Sequence, residues 1–264
     1  MGGGSLEVHL ASSGKQVVGY DIFDALVNFW NVLLTKPEEL ADKMSTLSPT
    51  KEEYSRVKEE LIRWENTQEM LGSWKTDFYV RENTLKLDDV TSAAYYYFNH
   101  NLSYGPGYLG WPSSVYLKDS AWEKMIKNVR EFSCPTLQVK QAHFRDVILE
   151  NPEDFLYLDP PYFLERDRDN KMFTGIYPMR NIPIHHDSFN HEELRDLLRN
   201  HKGDFVLSYN NCETIREYYS EFDQYFPKWN YSMGNGETRI GENRKKSGIT
   251  NSKDSHEILI VKKK

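Results

Sequence analysis

Apolar positions along the chain switch period repeatedly, and each switch marks the edge of a predicted element. Residues 6–12 read as a helix that Gly14 stops, and Gln16-Val17-Val18-Gly19-Tyr20-Asp21 as a buried strand closed by a carboxylate. Over 24–34, Leu26, Phe29, Trp30, Leu33 and Leu34 recur at helical spacing, a stripe that belongs in a core. Pro37 opens a different region. There Thr50 and Glu53 form a capping box ahead of Tyr54, Val57, Leu61 and Trp64, which predicts a helix over about 50–70 whose charges lie on a solvated face. Farther on, the pattern gives a strand over 137–144, a short helix over 145–150 and a strand of buried character over 154–158. A helix capped by Asn190 and Glu193, a strand over 204–209, a helix over 213–222 and a last strand over 256–261 complete the series. Alternating helices and strands predict an α/β fold.

Between the early helices and the later strands, residues 74–111 are rich in tyrosine interleaved with glycine and proline. Tyr95 to Phe98 has two readings, a helix with an aromatic core face or a set of stacking rings, and burial is the favoured one. For Tyr104, Gly105, Pro106, Gly107 and Tyr108 the favoured reading is a contact loop suited to wedging or stacking against bases. Two polar loops carry clustered cations: 165–187 with Arg166, Arg168, Lys171 and Arg180, and 234–246 with Arg239, Arg244, Lys245 and Lys246. Loops of this length inside a compact domain are functional or disordered.

Composition narrows the classes. A chain of 264 residues can bury a sizeable core, as one large domain or as a core domain with an insert. Its formal net charge of -7 leaves no global basic footprint, so any nucleic-acid contact must be local. Aromatic residues make up 14%, including 17 Tyr, enough for stacking surfaces as well as core. Cys134 and Cys212 fit neither a metal-ligand spacing nor a disulfide framework, and a reducing compartment is expected. No run reaches membrane-spanning length and no signal peptide is visible, so a soluble intracellular protein is expected.

The candidate chemistry centres on Asp159-Pro160-Pro161-Tyr162, directly after the 154–158 run. Neither proline can donate to a sheet ladder, so an acid, a bend and an aromatic ring gather at a strand's carboxyl end, where open α/β sheets bind ligands. A carboxylate acceptor, a fixed carbonyl and a flat ring suit a planar base with an exocyclic amino group. The same four residues are also an ordinary way to end a strand and open a loop, and local composition leaves both readings open. Near the start, Gly2-Gly3-Gly4-Ser5 reads either as a linker scar or, with Asp21, as half of a nucleotide-binding unit: glycines for close approach of a ligand, Asp21 for ribose hydroxyls. The full phosphate-binding spacing is absent, so an adenosine without phosphates fits better.

Taken in order, Gly2-Gly3-Gly4-Ser5, Asp21 and Asp159-Pro160-Pro161-Tyr162, with a large insert between, resemble the Dam-like (D12 class) DNA adenine N6-methyltransferases. The resemblance covers nearly the whole chain, including 93–110, Phe144, Met172-Phe173-Thr174, Asp187-Ser188-Phe189 and the Asn235-Gly236 to Arg244 loop. It implies a Rossmann-like S-adenosylmethionine-dependent methyltransferase sheet over 1–36 and 133–264, with an inserted, mostly helical target-recognition region over 37–132. It implies S-adenosylmethionine as methyl donor, held by Gly2, Gly3, Gly4, Ser5, Asp21, Ile22 and Phe144, with Asp159 at its edge. His143 stands where the family more often has a small or acidic residue. Catalysis falls to Asp159, Pro160, Pro161 and Tyr162. Acceptors at the Asp159 carboxylate and Pro160 carbonyl would hold the amino group's N–H bonds, while Tyr162, with Phe163, stacks on an adenine flipped from the duplex. Contacts to double-stranded DNA would come from Tyr104, Gly105, Pro106, Gly107, Lys171, Arg239 and Arg244.

On this resemblance the expected activity is site-specific methylation of adenine N6 in double-stranded DNA. The enzyme is expected to be a cytoplasmic monomer of bacterial, phage or viral origin, needing no metal, with a cognate restriction endonuclease acting separately. Family members carry a basic residue and a central strand ahead of the glycine motif. This chain opens at Met1, where that strand should end, and the expectation is therefore a truncated or late-start form with an incomplete donor pocket. The alternatives are a catalytically inactive DNA-binding relative and an amino-methyltransferase acting on RNA.

Overall fold

The computed structural model describes residues 1–65, 86–104, 107–163, 189–227, 230–232, 252–254 and 257–263. The chain divides into two compact units, Met1–His143 and Phe144–Lys264.

In the first unit, helix α1 (Ser5–Ser12) leads to strand β1 (Val17–Asp21), which pairs in parallel with β2 (Leu137–Gln141) from Val17↔Leu137 to Asp21↔Gln141. Parallel neighbours need a crossover. Here it consists of five helices among the described residues: α2 (Asp24–Thr35), α3 (Pro37–Ser45), α4 (Lys51–Glu65), α5 (Asp89–Asn101) and α6 (Asp119–Arg130). Helix α4 starts where its capping box predicts, with the Thr50 hydroxyl accepting from the Glu53 N–H at 3.1 Å. At α5 the cap is Asp88, which accepts from the Thr91 N–H at 2.9 Å. Its aromatic face is core: Tyr95, Tyr96 and Phe98 are buried. Tyr97 stacks on Phe29 of α2 at 5.1 Å, and Phe98 meets Trp122 of α6 edge-on at 5.0 Å. The buried Trp122 indole N–H is satisfied by the carbonyls of Met44 (3.3 Å) and Leu47 (3.0 Å), which ties α6 to the end of α3.

The second unit is built on a four-stranded sheet in the order β3 (Leu156–Leu158), β4 (Phe205–Asn210), β8 (Glu257–Lys262), β5 (Asp223–Tyr225). Strands β3 and β4 are parallel, whereas β8 runs antiparallel to both of its neighbours. A separate antiparallel pair joins β6 (Asn230–Ser232) to β7 (Ser252–Asp254). Helices α7 (Phe144–Glu150), α8 (His191–Asn200) and α9 (Glu213–Tyr218) flank these strands in sequence. Ile148 of α7, Leu194 and Leu198 of α8 and Ile215 of α9 join Phe205, Leu207, Tyr209, Ile258 and Ile260 in one buried cluster. Asn190 caps α8 as predicted, accepting from the Glu193 N–H at 3.0 Å.

Three expectations change. The run 154–158 is not buried throughout: Leu156 and Leu158 pack on the cluster, but Phe155 is 60% and Tyr157 42% exposed. Successive strand residues point to opposite faces, and only one face of β3 meets this core. Helix α9 stops at Tyr218 instead of reaching 222, because the Gln224 side-chain amide takes the carbonyls of Arg216 (2.9 Å) and Tyr219 (3.2 Å) as the chain turns into β5. Helices α3 and α6 and strand β5 were not anticipated at all.

Gly203 precedes β4 where two backbones nearly touch, since a Cβ there would lie 2.2 Å from the Asp154 carbonyl oxygen and 2.7 Å from the Glu153 carbonyl. Gly203→Ala should therefore cost about 1–3 kcal/mol of stability, read as a lowered midpoint in urea unfolding; an unchanged midpoint would contradict this packing.

Candidate active site

In the first unit, folding brings the amino-terminal glycines onto Asp21. Gly2 (φ 56°) and Gly4 (φ 67°) adopt left-handed backbone that glycine enters without penalty. A Cβ on Gly4 would come within 2.5 Å of the Trp30 ring, whose indole N–H donates to the Gly2 carbonyl at 3.2 Å. A Cβ on Gly2 or Gly3 would meet nothing within 4 Å, so that side of the turn is open to approach. Asp21 Oδ2 accepts from the Gly2 N–H (3.2 Å) and the Met1 nitrogen (3.3 Å), and Oδ1 accepts from the Phe23 N–H (2.9 Å). The Met1 nitrogen also donates to the Tyr20 carbonyl at 2.9 Å. Ser5 opens α1 and is exposed, while the Ile22 carbonyl is held by the Gln141 amide at 3.1 Å.

Sequence reading missed the aromatic wall beside Asp21. Phe23 lies edge-on to Tyr108 (5.2 Å) and to Tyr96 (6.1 Å), and those two tyrosines pack on each other at 5.2 Å. Burial, and then the charge of Asp21, push the Tyr96 hydroxyl far above the usual tyrosine range, so it stays protonated. Tyr108, expected in a contact loop, is 7% exposed and belongs to this wall.

The loop bearing Tyr104 is fixed from below. The Ser103 hydroxyl accepts from the Gly107 N–H (2.7 Å), Asn99 Oδ1 accepts from the Leu109 N–H (2.5 Å), and the Tyr104 N–H donates to the Trp111 carbonyl (2.6 Å). Tyr104 is 58% exposed and Trp111 73%. The Lys58 ammonium lies 5.3 Å from the Trp111 ring centroid and donates to the Gly110 carbonyl at 3.0 Å. Trp111 and Lys58 carry no local sequence signal, since one follows a glycine turn and the other sits on the charged face of α4. Gly105, Pro106, Lys171, Arg239 and Arg244 lie outside the described residues.

In the second unit, Asp159 follows β3 and is exposed, while Pro160, Pro161, Tyr162 and Phe163 are half-buried. The Tyr162 hydroxyl donates to Glu257 Oε1 at 3.0 Å. Asn210, 4% exposed at the end of β4, grips the backbone of Phe163 from both sides: its Oδ1 accepts from the Phe163 N–H (2.8 Å) and its Nδ2 donates to the Phe163 carbonyl (2.9 Å). The Phe163 ring packs against His191 (5.1 Å) and Tyr218 (6.2 Å), so it is a packing residue of this unit. Phe144 opens α7 with its ring 4.8 Å from that of Phe189. Asn210, Glu257 and His191 were not anticipated as parts of the site. The one faint signal that could have found Asn210 is its place as a polar residue closing an apolar strand.

The family model for the D12 class N6 adenine-specific DNA methyltransferases matches residues 1–233. The chain belongs to that family. No curated protein matches the sequence. The D12 class match spans the glycine turn, Asp21, Tyr104, the residues from Asp159 to Tyr162, and Asn210; Glu257 lies beyond it. Among the described residues of this methyltransferase, no helix is long and apolar enough to cross a membrane, and no cluster of His, Cys, Asp and Glu could hold a metal ion.

Burial lowers His191 from 6.5 to about 4, so its ring is neutral near pH 7 and its Nδ1 can accept from the buried Tyr209 hydroxyl. A depressed folded-state pKa means that the unfolded chain takes the proton first, and the stability tied to the neutral ring is lost as pH falls from about 6.5 toward 4. His191→Gln should flatten the decline of stability over that interval, measured by thermal unfolding across pH. A decline as steep as wild type would contradict the neutral assignment.

Proposed function

We propose that the protein transfers a methyl group from S-adenosylmethionine to N6 of adenine at a specific site in double-stranded DNA. The observation that carries this reading is the exposed Asp159 at the carboxyl end of β3, followed by two prolines and by a tyrosine anchored through its hydroxyl. An adenine amino group is a weak nucleophile because its lone pair is delocalised into the ring. Acceptors at the Asp159 carboxylate and the Pro160 carbonyl hold both N–H bonds and draw the lone pair out of that conjugation. With Phe163 committed to packing, stacking on a flipped adenine falls to Tyr162. Positioning and electrostatics then supply the catalysis, with no covalent enzyme intermediate.

When bound, S-adenosylmethionine supplies the methyl group on a sulfonium sulfur. The residues of the first unit fit such a group in part. The open side of Gly2 and Gly3 admits a ligand against the backbone, and Asp21 is a hydroxyl acceptor. A carboxylate offers about four lone-pair sites, and three donors already use Asp21: the Gly2 and Phe23 N–H groups and the Met1 nitrogen. One ribose hydroxyl can be taken on Oδ1 as it stands, and a second requires the Met1 nitrogen to give way. That occupancy favours a second reading, a DNA-binding relative that holds the donor weakly.

We read 1–36 and 133–264 as a Rossmann-like catalytic sheet and 37–132 as the target-recognition insert; the parallel β1–β2 pair with helices in its crossover supports this. Exposed Tyr104 and Trp111, with Lys58 beneath the indole, are the described surface of the insert best suited to the duplex. The same reading makes the protein a cytoplasmic monomer that methylates sites otherwise cut by a separate restriction endonuclease.

Calorimetric titration with S-adenosylmethionine separates the two readings. The enzyme should bind the donor, and Asp21→Ala should weaken binding by about 10-fold or more; no binding by the wild-type chain would favour the inactive relative. Asp159→Ala should lower methyl transfer to duplex DNA by at least about 100-fold while DNA binding is retained, and undiminished transfer would remove Asp159 from its role.

A further inference from the structure

We infer that Asn210 and Glu257 form a positioning pair that sets the geometry of the acceptor loop. The two residues face each other in the β4–β8 register. Together they hold two consecutive residues, Tyr162 through its hydroxyl and Phe163 through its backbone. The Asn210 carboxamide presents one acceptor and one donor to the N–H and carbonyl of Phe163, the pair of bonds that a neighbouring strand would make. It extends the ladder by one residue past a segment where Pro160 and Pro161 have no N–H to give.

The consequence is mechanical. Asp159 is exposed and its neighbouring prolines restrict φ, so the path of its backbone follows from where the chain is pinned on either side. On one side the pin is β3, paired with β4 through Leu158↔Leu207. On the other it is the Asn210 amide, at the end of the same β4. Both pins belong to one strand, so residues 159–162 form a short bridge over rigid supports. Glu257 adds the orientation of the Tyr162 ring. Both residues act through the loop, and the pair sets the rate of the reaction without contributing to the affinity for either substrate.

The inference rests on the reading of residues 159–162 as the acceptor site. The test measures single-turnover methyl transfer at saturating donor and duplex, with donor and duplex affinities measured separately, for the full chain and for Asn210→Asp, Asn210→Ala, Tyr162→Phe and Asp159→Ala. In Asn210→Asp the shape is kept and the Phe163 N–H still has an acceptor, but a carboxylate oxygen then faces the Phe163 carbonyl. Both Asn210 variants should lose about 10- to 100-fold in rate with affinities unchanged. Tyr162→Phe, which removes only the hydroxyl on Glu257, should lose about 10-fold and remain folded. In the wild-type protein the Phe163 amide should exchange slowly with deuterium. A wild-type rate in Asn210→Asp, a loss confined to affinity, or rapid Phe163 exchange would overturn the Asn210 role, and a wild-type rate in Tyr162→Phe would overturn that of Glu257. If the Asn210 variants do not fold, Phe163 exchange and Tyr162→Phe decide. Full activity in Asp159→Ala would overturn the acceptor reading itself; an inactive Asp159→Ala beside fully active Asn210 variants would remove the positioning role alone.

Discussion

A strand that ends in two prolines loses two backbone donors at once, and the segment that follows cannot be held by a sheet ladder. On the proposed reading that constraint falls on the residues that carry the chemistry, where Asp159 must stay accessible and Tyr162 must present a ring, and neither can do so from a loosely held turn. Side chains from the two strands nearest the turn in the sheet order, Asn210 of β4 and Glu257 of β8, replace the missing ladder. A polar amide is affordable at a position only 4% exposed because both of its hydrogen-bonding groups are matched by one peptide unit.

The amino-terminal glycine turn is solved differently. There the supports are one aromatic ring and one carboxylate: Trp30 packs against Gly4 and holds the Gly2 carbonyl, and Asp21 collects backbone donors from Gly2 in the turn and from Phe23 just beyond β1. The carboxylate is thus a structural clasp and, on the proposed reading, a ligand acceptor as well. These uses compete for the same lone pairs, which ties donor affinity to the stability of the turn. The aromatic wall of Phe23, Tyr96 and Tyr108 joins the chain just after β1 to α5 and the segment that follows it.

Local signals were legible in the sequence wherever the physics is local. Capping residues Thr50 and Asn190, Phe29, Trp30 and Leu33 of the 24–34 stripe, the stop at Gly14 and the aromatic core face of α5 depend on neighbours within one helical turn or on a simple period, and each is found as expected, whereas Leu26 and Leu34 are only half-buried. What escaped depends on partners beyond one helical turn or on which face the fold covers. Tyr108 is buried because Phe23 and Tyr96 meet it, and α9 is cut short by Gln224. Phe155 and Tyr157 are as apolar in sequence as their buried neighbours, and only the one-sided packing of β3 distinguishes them. Asn210 reads as an unremarkable polar residue until Phe163, remote in sequence, is placed against it. The resemblance carried by the glycines, Asp21 and Asp159-Pro160-Pro161-Tyr162 agrees with the family match over residues 1–233, because those short motifs are constrained by chemistry as well as by fold.

On the proposed reading this chain puts a methyl group on the amino nitrogen of adenine in a duplex. The most direct measurement is to incubate the protein with mixed-sequence duplex DNA and isotopically labelled S-adenosylmethionine, digest the DNA to nucleosides and identify the labelled one by mass spectrometry. Label is expected in N6-methyldeoxyadenosine, abundant in duplex and scarce in single-stranded DNA of the same sequence. Label on cytosine, or no labelled nucleoside from a chain that binds both donor and duplex, would contradict it.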